Sequence, residues 1–141
     1  MALRRHILAV VVLLGLVAPL AAEGHYKVIV HPRNPATAVD SAFLRNAFLR
    51  KETEWNGETL RPVDLAHRFP ARDQFTREIL RKTPAQLRAY WNQQIFSGKG
   101  VPPVEAATAA DMIAYVLANP GAIGYLPDDV ASGGTKVIEV R

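Results

Sequence analysis

The sequence predicts a layered α/β domain, and three observations lead to that prediction. Strand-like segments rich in valine and isoleucine alternate with helical patterns after the first two dozen residues. Cysteine is absent from all 141 residues, so no disulfide or thiolate metal site supports the fold. If the first 22 residues are a cleaved leader, about 119 residues remain, which fits one domain with one hydrophobic core. We therefore expect a single lobe with right-handed crossovers between its strands.

Residues 1–22 are predicted to be a cleaved signal peptide. Arg4 and Arg5 give a positive start, residues 7–17 are apolar apart from Gly15, and Pro19 is followed by small residues. A membrane anchor is the alternative, but a spanning helix needs roughly 20 apolar residues and Pro19 interrupts this run. The predicted domain covers residues 23–141. Without cysteine it cannot carry a cysteine-linked lipid, so we expect an exported protein that is free in solution.

The charge of the predicted domain is close to balanced. The chain has 17 Lys and Arg against 13 Asp and Glu, and two of the arginines belong to the predicted leader. The high pI of the full chain therefore overstates how basic the domain is. Binding to nucleic acid is not indicated.

The first half of the domain begins with a strand over residues 26–31, which Pro32 ends. Asp40 or Ser41 then caps a helix that runs to about residue 49. Its apolar face consists of Phe43, Leu44, Ala47 and Phe48. The tetrapeptide Trp55-Asn56-Gly57-Glu58 predicts a turn, because Asn-Gly readily takes positive φ. A second strand is predicted over residues 60–64, and Pro62 within it indicates a sheet edge or a strand start.

The second half contains three predicted helices and two further strands. Pro70 suits the first turn of a helix over residues 70–81, and Thr83-Pro84 opens the next helix with a capping residue and a proline. A loop is predicted over residues 97–103, and Thr108 to Asp111 resembles a capping box that starts the fourth helix. Strands follow at residues 122–126 and 136–140. The residues predicted to face the core from these helices are Phe75, Ile79, Leu80, Leu87, Tyr90, Trp91, Ile95, Met112, Ile113, Val116 and Leu117.

No catalytic residue, metal site or cofactor is predicted. None of Ser41, Ser97 and Ser132 lies in a Gly-x-Ser-x-Gly elbow, so the sequence does not indicate hydrolysis by a serine nucleophile. The histidines lack the spacing of metal ligands. The segment Ser97-Gly98-Lys99-Gly100 lacks the spacing of a P-loop, and Asp128-Asp129 is interpreted as a solvated turn.

Three motifs, taken in order, carry a family resemblance. They are Asn46-Ala-Phe-Leu-Arg-Lys with Trp55-Asn56-Gly57 and Pro62-Val63, then Ala71-Arg-Asp-Gln-Phe75, then Pro120-Gly-Ala-Ile-Gly-Tyr125. In this order they resemble the substrate-binding proteins of phosphate ABC transporters, which are type II periplasmic binding proteins. The resemblance runs from about residue 28 to residue 126. It covers one of that family's two lobes, so the chain is interpreted as a short single-lobe variant.

The resemblance implies a periplasmic, non-catalytic protein that binds phosphate or a similar oxyanion. A membrane component of an ABC transporter, or a second copy of the chain, is the implied partner. In the family a Ser-Gly-Thr turn at the start of a helix grips the oxyanion, and here that turn falls on Phe69-Pro70-Ala71. Leu65 stands about where a phosphate-gripping arginine is expected.

The remaining candidates for an anion site lie at the start of the second predicted helix. Arg68, Ala71, Arg72 and Asp73 are the predicted anion-binding residues, because backbone N–H groups and the positive end of the helix dipole attract an oxyanion there. Two guanidinium groups add charge-assisted hydrogen bonds. The alternative is that these arginines pair with Asp73 or with another carboxylate.

Two functional hypotheses follow. The first is uptake or sensing of phosphate or a similar oxyanion, with affinity on the order of millimolar, because one lobe leaves the ion half-exposed to water. The second is a degenerate lobe that has lost its ligand and serves as a protein-interaction or regulatory module in the cell envelope. The retained arginines favour the first hypothesis, and the lost Ser-Gly-Thr turn favours the second.

The predicted leader can be tested directly. We expect the exported protein to begin near Glu23, because the apolar run is short and small residues follow it. Mass spectrometry of the protein from the periplasmic fraction measures the new N-terminus. Full-length protein retained in the membrane fraction would contradict the prediction.

Overall fold

The computed structural model describes residues 24–141, and the predicted signal peptide lies outside them. The predicted α/β class is confirmed. The described residues form four helices and eight strands. In chain order they are β1 (Tyr26–Val30), β2 (Ala38–Val39), α1 (Ser41–Phe48), β3 (Glu54–Trp55), β4 (Glu58–Thr59), β5 (Arg61–Leu65), α2 (Pro70–Glu78), α3 (Pro84–Phe96), β6 (Val104–Ala106), α4 (Ala109–Ala118), β7 (Ala122–Pro127) and β8 (Lys136–Val140).

Six of the strands form one mixed sheet in the order β2-β8-β1-β7-β5-β6. β1 runs antiparallel to both of its neighbours, whereas β7, β5 and β6 are parallel to one another. The first five residues of β7 and the last three of β1 are all buried in succession, so both faces of the central strands are covered. The parallel register places Asp64 of β5 beside Glu105 of β6, which brings the two acidic residues together at one side of the sheet.

The predicted Asn-Gly turn closes the β3–β4 hairpin. Asn56 and Gly57 both have positive φ, 52° and 78°, as a two-residue hairpin turn of the type I′ class requires. The ring of Trp55 lies 5.4 Å from that of Phe43 on α1. The hairpin is therefore held against α1.

Four aromatic rings fasten α1 and α2 to the centre of the sheet. Phe75 of α2 stacks on Tyr125 of β7 with ring centroids 4.0 Å apart and an interplanar angle of 4°. Phe48 lies 4.7 Å from Phe75, and Tyr26 meets Phe75 edge-on at 5.4 Å. Phe48, Phe75 and Tyr125 are fully buried, so this cluster packs α1 and α2 against β1 and β7.

Two glycines of the Pro120–Tyr125 motif allow close packing. A Cβ atom on Gly124 would lie 2.4 Å from the Met112 sulfur and 2.9 Å from a Val63 methyl group. A Cβ atom on Gly121 would lie 2.0 Å from the Thr59 carbonyl oxygen. The motif that contributed to the family resemblance is therefore explained by packing of α4 and of the hairpin against β7.

The structure corrects several details of the predicted elements. Of the two positions predicted for Pro62, the strand start is confirmed, because Pro62 is the second residue of β5, and the sheet edge is wrong, because β5 is an interior strand. The second helix ends at Glu78, and Arg81 has a φ of 55°, which a continuing helix does not allow. β6 follows the predicted loop and was not anticipated, because three residues after two prolines give no strand pattern.

Two predicted core residues are exposed. Ile95 in the last turn of α3 is 53% exposed, and Leu117 in α4 is 40% exposed. Helical periodicity identifies residues that share a face. It does not tell how far the neighbouring elements extend along that face.

The buried face of α3 yields a stability prediction. Trp91 is only 8% exposed, so Trp91→Ala should lower the free energy of unfolding by about 3–5 kcal/mol, as large aromatic truncations in cores do. Chemical denaturation measures the change. Ile95→Ala, one helical turn away on the exposed part of the same face, serves as the control and should cost less than about 1 kcal/mol. Equal losses for the two variants would contradict the burial of Trp91.

Candidate functional site

The candidate site lies where β5 ends and α2 begins. Asp64 is the penultimate residue of β5, and Arg72 lies in the first turn of α2. The intervening segment is anchored to β6, because the Ala66 N–H donates to the Ala106 carbonyl at 3.0 Å. Pro70 occupies the first turn of α2, where a missing N–H is tolerated.

Arg72 is buried at the centre of this site. Its Nη2 lies 3.2 Å from Asp64 Oδ2, and its Nη1 lies 3.3 Å from Glu105 Oε2 and also donates to the Leu65 carbonyl. The Arg72 and Asp64 side chains are 9% and 7% exposed, whereas that of Glu105 is 47% exposed. The guanidinium group therefore joins β5, α2 and β6 through one buried and one half-exposed carboxylate.

Asp64 receives further hydrogen bonds from its surroundings. The Tyr125 hydroxyl donates to Asp64 Oδ1, and the Leu65 N–H donates to the same oxygen at 3.0 Å. Burial raises the pKa of Asp64 above its usual range, while Arg72 and the Tyr125 hydrogen bond favour the carboxylate and oppose that shift. Burial, together with the nearby Asp64 charge, raises the pKa of Tyr125 well above its usual range. Tyr125 therefore stays protonated and acts as a donor.

The four predicted anion-binding residues occupy different environments. Arg72 and Asp73 line a cavity at the start of α2. Arg68 does not line it; its Nη2 donates to the Ala107 carbonyl and its guanidinium lies 4.4 Å above the Phe69 ring. Ala71 is 1% exposed and packs in the core. The Arg72 N–H already donates to the Phe69 carbonyl at 2.9 Å.

Sequence reasoning missed the two carboxylates that contact Arg72. Of the alternatives left open, pairing of Arg72 with a carboxylate other than Asp73 is the contact observed. Asp64 gave a usable signal, because it lies within the otherwise apolar run Pro62-Val63-Asp64-Leu65, and a buried charge requires a partner. No pattern in the sequence indicated Glu105, because its position next to Arg72 depends on the unpredicted pairing of β5 with β6.

The cavity beside Arg72 has a volume of about 290 Å³. The buried Asp64 and Arg72 line it, together with the exposed charged or polar side chains of His67, Asp73, Arg88 and Glu105. α3 and the loop before β6 contribute an apolar wall. The apolar wall consists of Pro84, Leu87, Trp91, Ile95, Pro102 and Pro103. The site thus combines a buried cation with an extended apolar surface.

Within residues 24–141, no group of three or more His, Asp or Glu side chains is arranged to hold a metal ion. In the same part of the chain, every helix is too short or too polar to cross a membrane.

The described fold matches one lobe of solved substrate-binding proteins of phosphate ABC transporters. A phosphate ABC transporter substrate-binding protein from Clostridium perfringens, solved with bound phosphate, matches with a TM-score of 0.64 and 19% identity over 82% of this chain. An ABC-type phosphate transport receptor from Vibrio cholerae and PstS from Borrelia burgdorferi both match with a TM-score of 0.62, at 16% and 11% identity. No protein-family profile matches the sequence, and the comparison with curated proteins gives no match.

The chain spans less than half the length of these structures. The match covers 44% of the C. perfringens chain, 45% of the V. cholerae chain and 47% of the B. burgdorferi chain. At identities below 20% the similarity establishes the fold. The single-lobe interpretation of the sequence agrees with it.

The buried ion pair yields a prediction for Arg72. Arg72→Ala should lower the free energy of unfolding by about 3–5 kcal/mol, because it leaves the Asp64 carboxylate buried without a cation. Arg68→Ala, which removes an exposed arginine four residues away, is the matched control and should cost less than about 1 kcal/mol.

The double variant Asp64→Asn/Arg72→Ala tests the cause of that loss. The double variant should be more stable than Arg72→Ala alone, because a neutral amide is less costly to bury than a carboxylate. Chemical denaturation of the unaltered protein, of the single variants Asp64→Asn and Arg72→Ala, and of the double variant gives the coupling energy. A coupling energy near zero would show that the pair contributes little.

Proposed function

We propose that the protein is an exported, periplasmic and non-catalytic binding protein whose ligand is phosphate or a similar oxyanion. The observation that carries the proposal is the buried Arg72 guanidinium, which faces a cavity at the start of α2 in a lobe of the phosphate-binding type. A cation and a helix N-terminus at one point favour an anionic ligand. Transport or sensing of that oxyanion is the proposed role.

The anion would take the place of the Glu105 carboxylate. Glu105 Oε2 lies 3.3 Å from Arg72 Nη1 and 4.0 Å from His67 Nε2. Its side chain is half-exposed and is carried by a strand of three residues. Glu105 can therefore swing outward while an oxyanion accepts the hydrogen bond from Arg72. The buried Asp64 would remain on the other guanidinium nitrogen.

This exchange makes the expected affinity low. The ligand competes with an internal carboxylate, and water screens the half-open site. A dissociation constant on the order of millimolar, or a binding free energy of about 4 kcal/mol, is expected. A membrane component of an ABC transporter, or a second copy of the chain, that covers the cavity would raise the affinity by excluding water.

The second candidate function is a protein-interaction or regulatory module of the envelope. It is favoured by the protein acceptors that already occupy both terminal nitrogens of Arg72. Exposed apolar residues near the cavity also favour it, with Phe96 90% exposed, Val101 57% and Val104 54%.

Titration calorimetry with the Glu105→Gln variant distinguishes the two functions. The protein of residues 23–141 is titrated with phosphate and with sulfate. Glu105→Gln should bind phosphate roughly three- to tenfold more tightly than the unaltered protein, because the competing negative charge is gone. Glu139→Gln, which alters an exposed glutamate paired with Arg141 at 3.8 Å, is the matched control and should change nothing.

Two arginine variants complete the test. Arg72→Ala should abolish anion binding. Binding by this variant is measured at a temperature where the variant is folded. Arg33→Ala, which is exposed and remote from α2, should leave binding unchanged. Absence of saturable anion binding in both the unaltered protein and Glu105→Gln, alone or with envelope partners, would overturn the oxyanion proposal in favour of the interaction module.

A further inference from the structure

The cavity beside Arg72 is larger than an inorganic oxyanion needs. Its volume is about 290 Å³, which corresponds to roughly ten water molecules at about 30 Å³ each. Phosphate and sulfate have five heavy atoms, so either ion would leave most of the cavity empty. The volume is close to the lower end of the range for organic ligands, about 300–1,000 Å³.

The part of the cavity lining that α3 and the loop before β6 contribute is mainly apolar, and Arg88 and Asn92 are its polar members. Leu87, Trp91 and Ile95 are spaced by four residues on α3 and form one stripe along the cavity, and Pro102 and Pro103 continue it. Ile95 is 53% exposed although it belongs to the stripe that includes the buried Leu87 and Trp91. An aromatic and aliphatic wall of this kind makes no favourable contact with an ion alone, but it binds a hydrocarbon group.

The charged side chains of the cavity orient a ligand. Arg72 of α2 and Arg88 of α3 line it together with the carboxylates of Asp64, Asp73 and Glu105. The anionic end would contact Arg72 in place of Glu105, and the apolar end would lie along α3. The cavity thus has one end suited to an oxyanion and one side suited to hydrocarbon.

We propose that the ligand is an organic oxyanion, namely a phosphonate or phosphate monoester that carries a compact apolar group of about the size of a phenyl ring. This inference rests on the proposed anion site and specifies what that site selects. The tetrahedral head exchanges with the Glu105 carboxylate on Arg72, and the apolar group covers Trp91 and Ile95.

Titration with phenylphosphonate, inorganic phosphate and benzyl alcohol tests the proposal. The experiment uses residues 23–141 with Trp55→Phe, which leaves Trp91 as the one remaining tryptophan of the chain's two. Phenylphosphonate should bind about tenfold more tightly than phosphate, because part of the ring leaves water. It should also change the Trp91 fluorescence, which inorganic phosphate should alter little. Benzyl alcohol should bind more weakly than phenylphosphonate, because it lacks the charge that Arg72 recognises.

A matched pair of variants locates the apolar contact. Ile95→Ala should remove most of the difference in affinity between phenylphosphonate and phosphate. Val137→Ala on β8 should leave that difference unchanged. Both residues are about half-exposed, at 53% and 49%, and only Ile95 lines the cavity.

The possible outcomes separate this inference from the proposed function. Equal affinities for phosphate and phenylphosphonate, or an advantage unaffected by Ile95→Ala, would overturn the organic ligand and leave the oxyanion site standing. Benzyl alcohol binding as tightly as phenylphosphonate would overturn the anion site itself. No binding of any of the three compounds would overturn both.

Discussion

The arrangement of this lobe around its site depends on one buried ion pair. The Arg72 guanidinium and the Asp64 carboxylate would each be costly to bury alone, so each requires the other in place. Their contact fixes the start of α2 relative to the end of β5. The same guanidinium also donates to the Leu65 carbonyl at the end of β5 and contacts the edge strand β6 through Glu105. A single side chain thereby links the positions of three neighbouring elements.

The aromatic core contacts that ion pair through Tyr125. Tyr125 stacks on Phe75 of α2 and donates its hydroxyl hydrogen to Asp64, so the same residue packs the core and completes the polar network. Gly124 precedes it and lets Met112 of α4 approach the strand closely. Packing on both faces of β7 and the polar contacts at the end of β5 are therefore connected through Tyr125. Such support keeps a site residue in a single geometry.

Local patterns in the sequence predicted most of the fold, because local chemistry determines those features. Thr83 and Gln86 form the capping box that starts α3, and the Asn56-Gly57 turn closes its hairpin as expected. The candidate site was predicted only in part. Arg72 could be selected from its position at a helix start. The position of its partner Glu105 depends on parallel pairing between residues that are 41 positions apart in the sequence. The run Val104-Glu105-Ala106 is too short to indicate that pairing from sequence.

The two edges of the main sheet affect how the protein behaves at high concentration. β2 has two residues and β6 has three, so each edge offers few unpaired backbone groups to another chain. Long, flat edges act as templates for the growth of intermolecular sheets, and short ones do not. The exposed Val104 lies on one of these short edges. The lobe can thus present apolar side chains beside its cavity with little tendency to polymerise edge to edge.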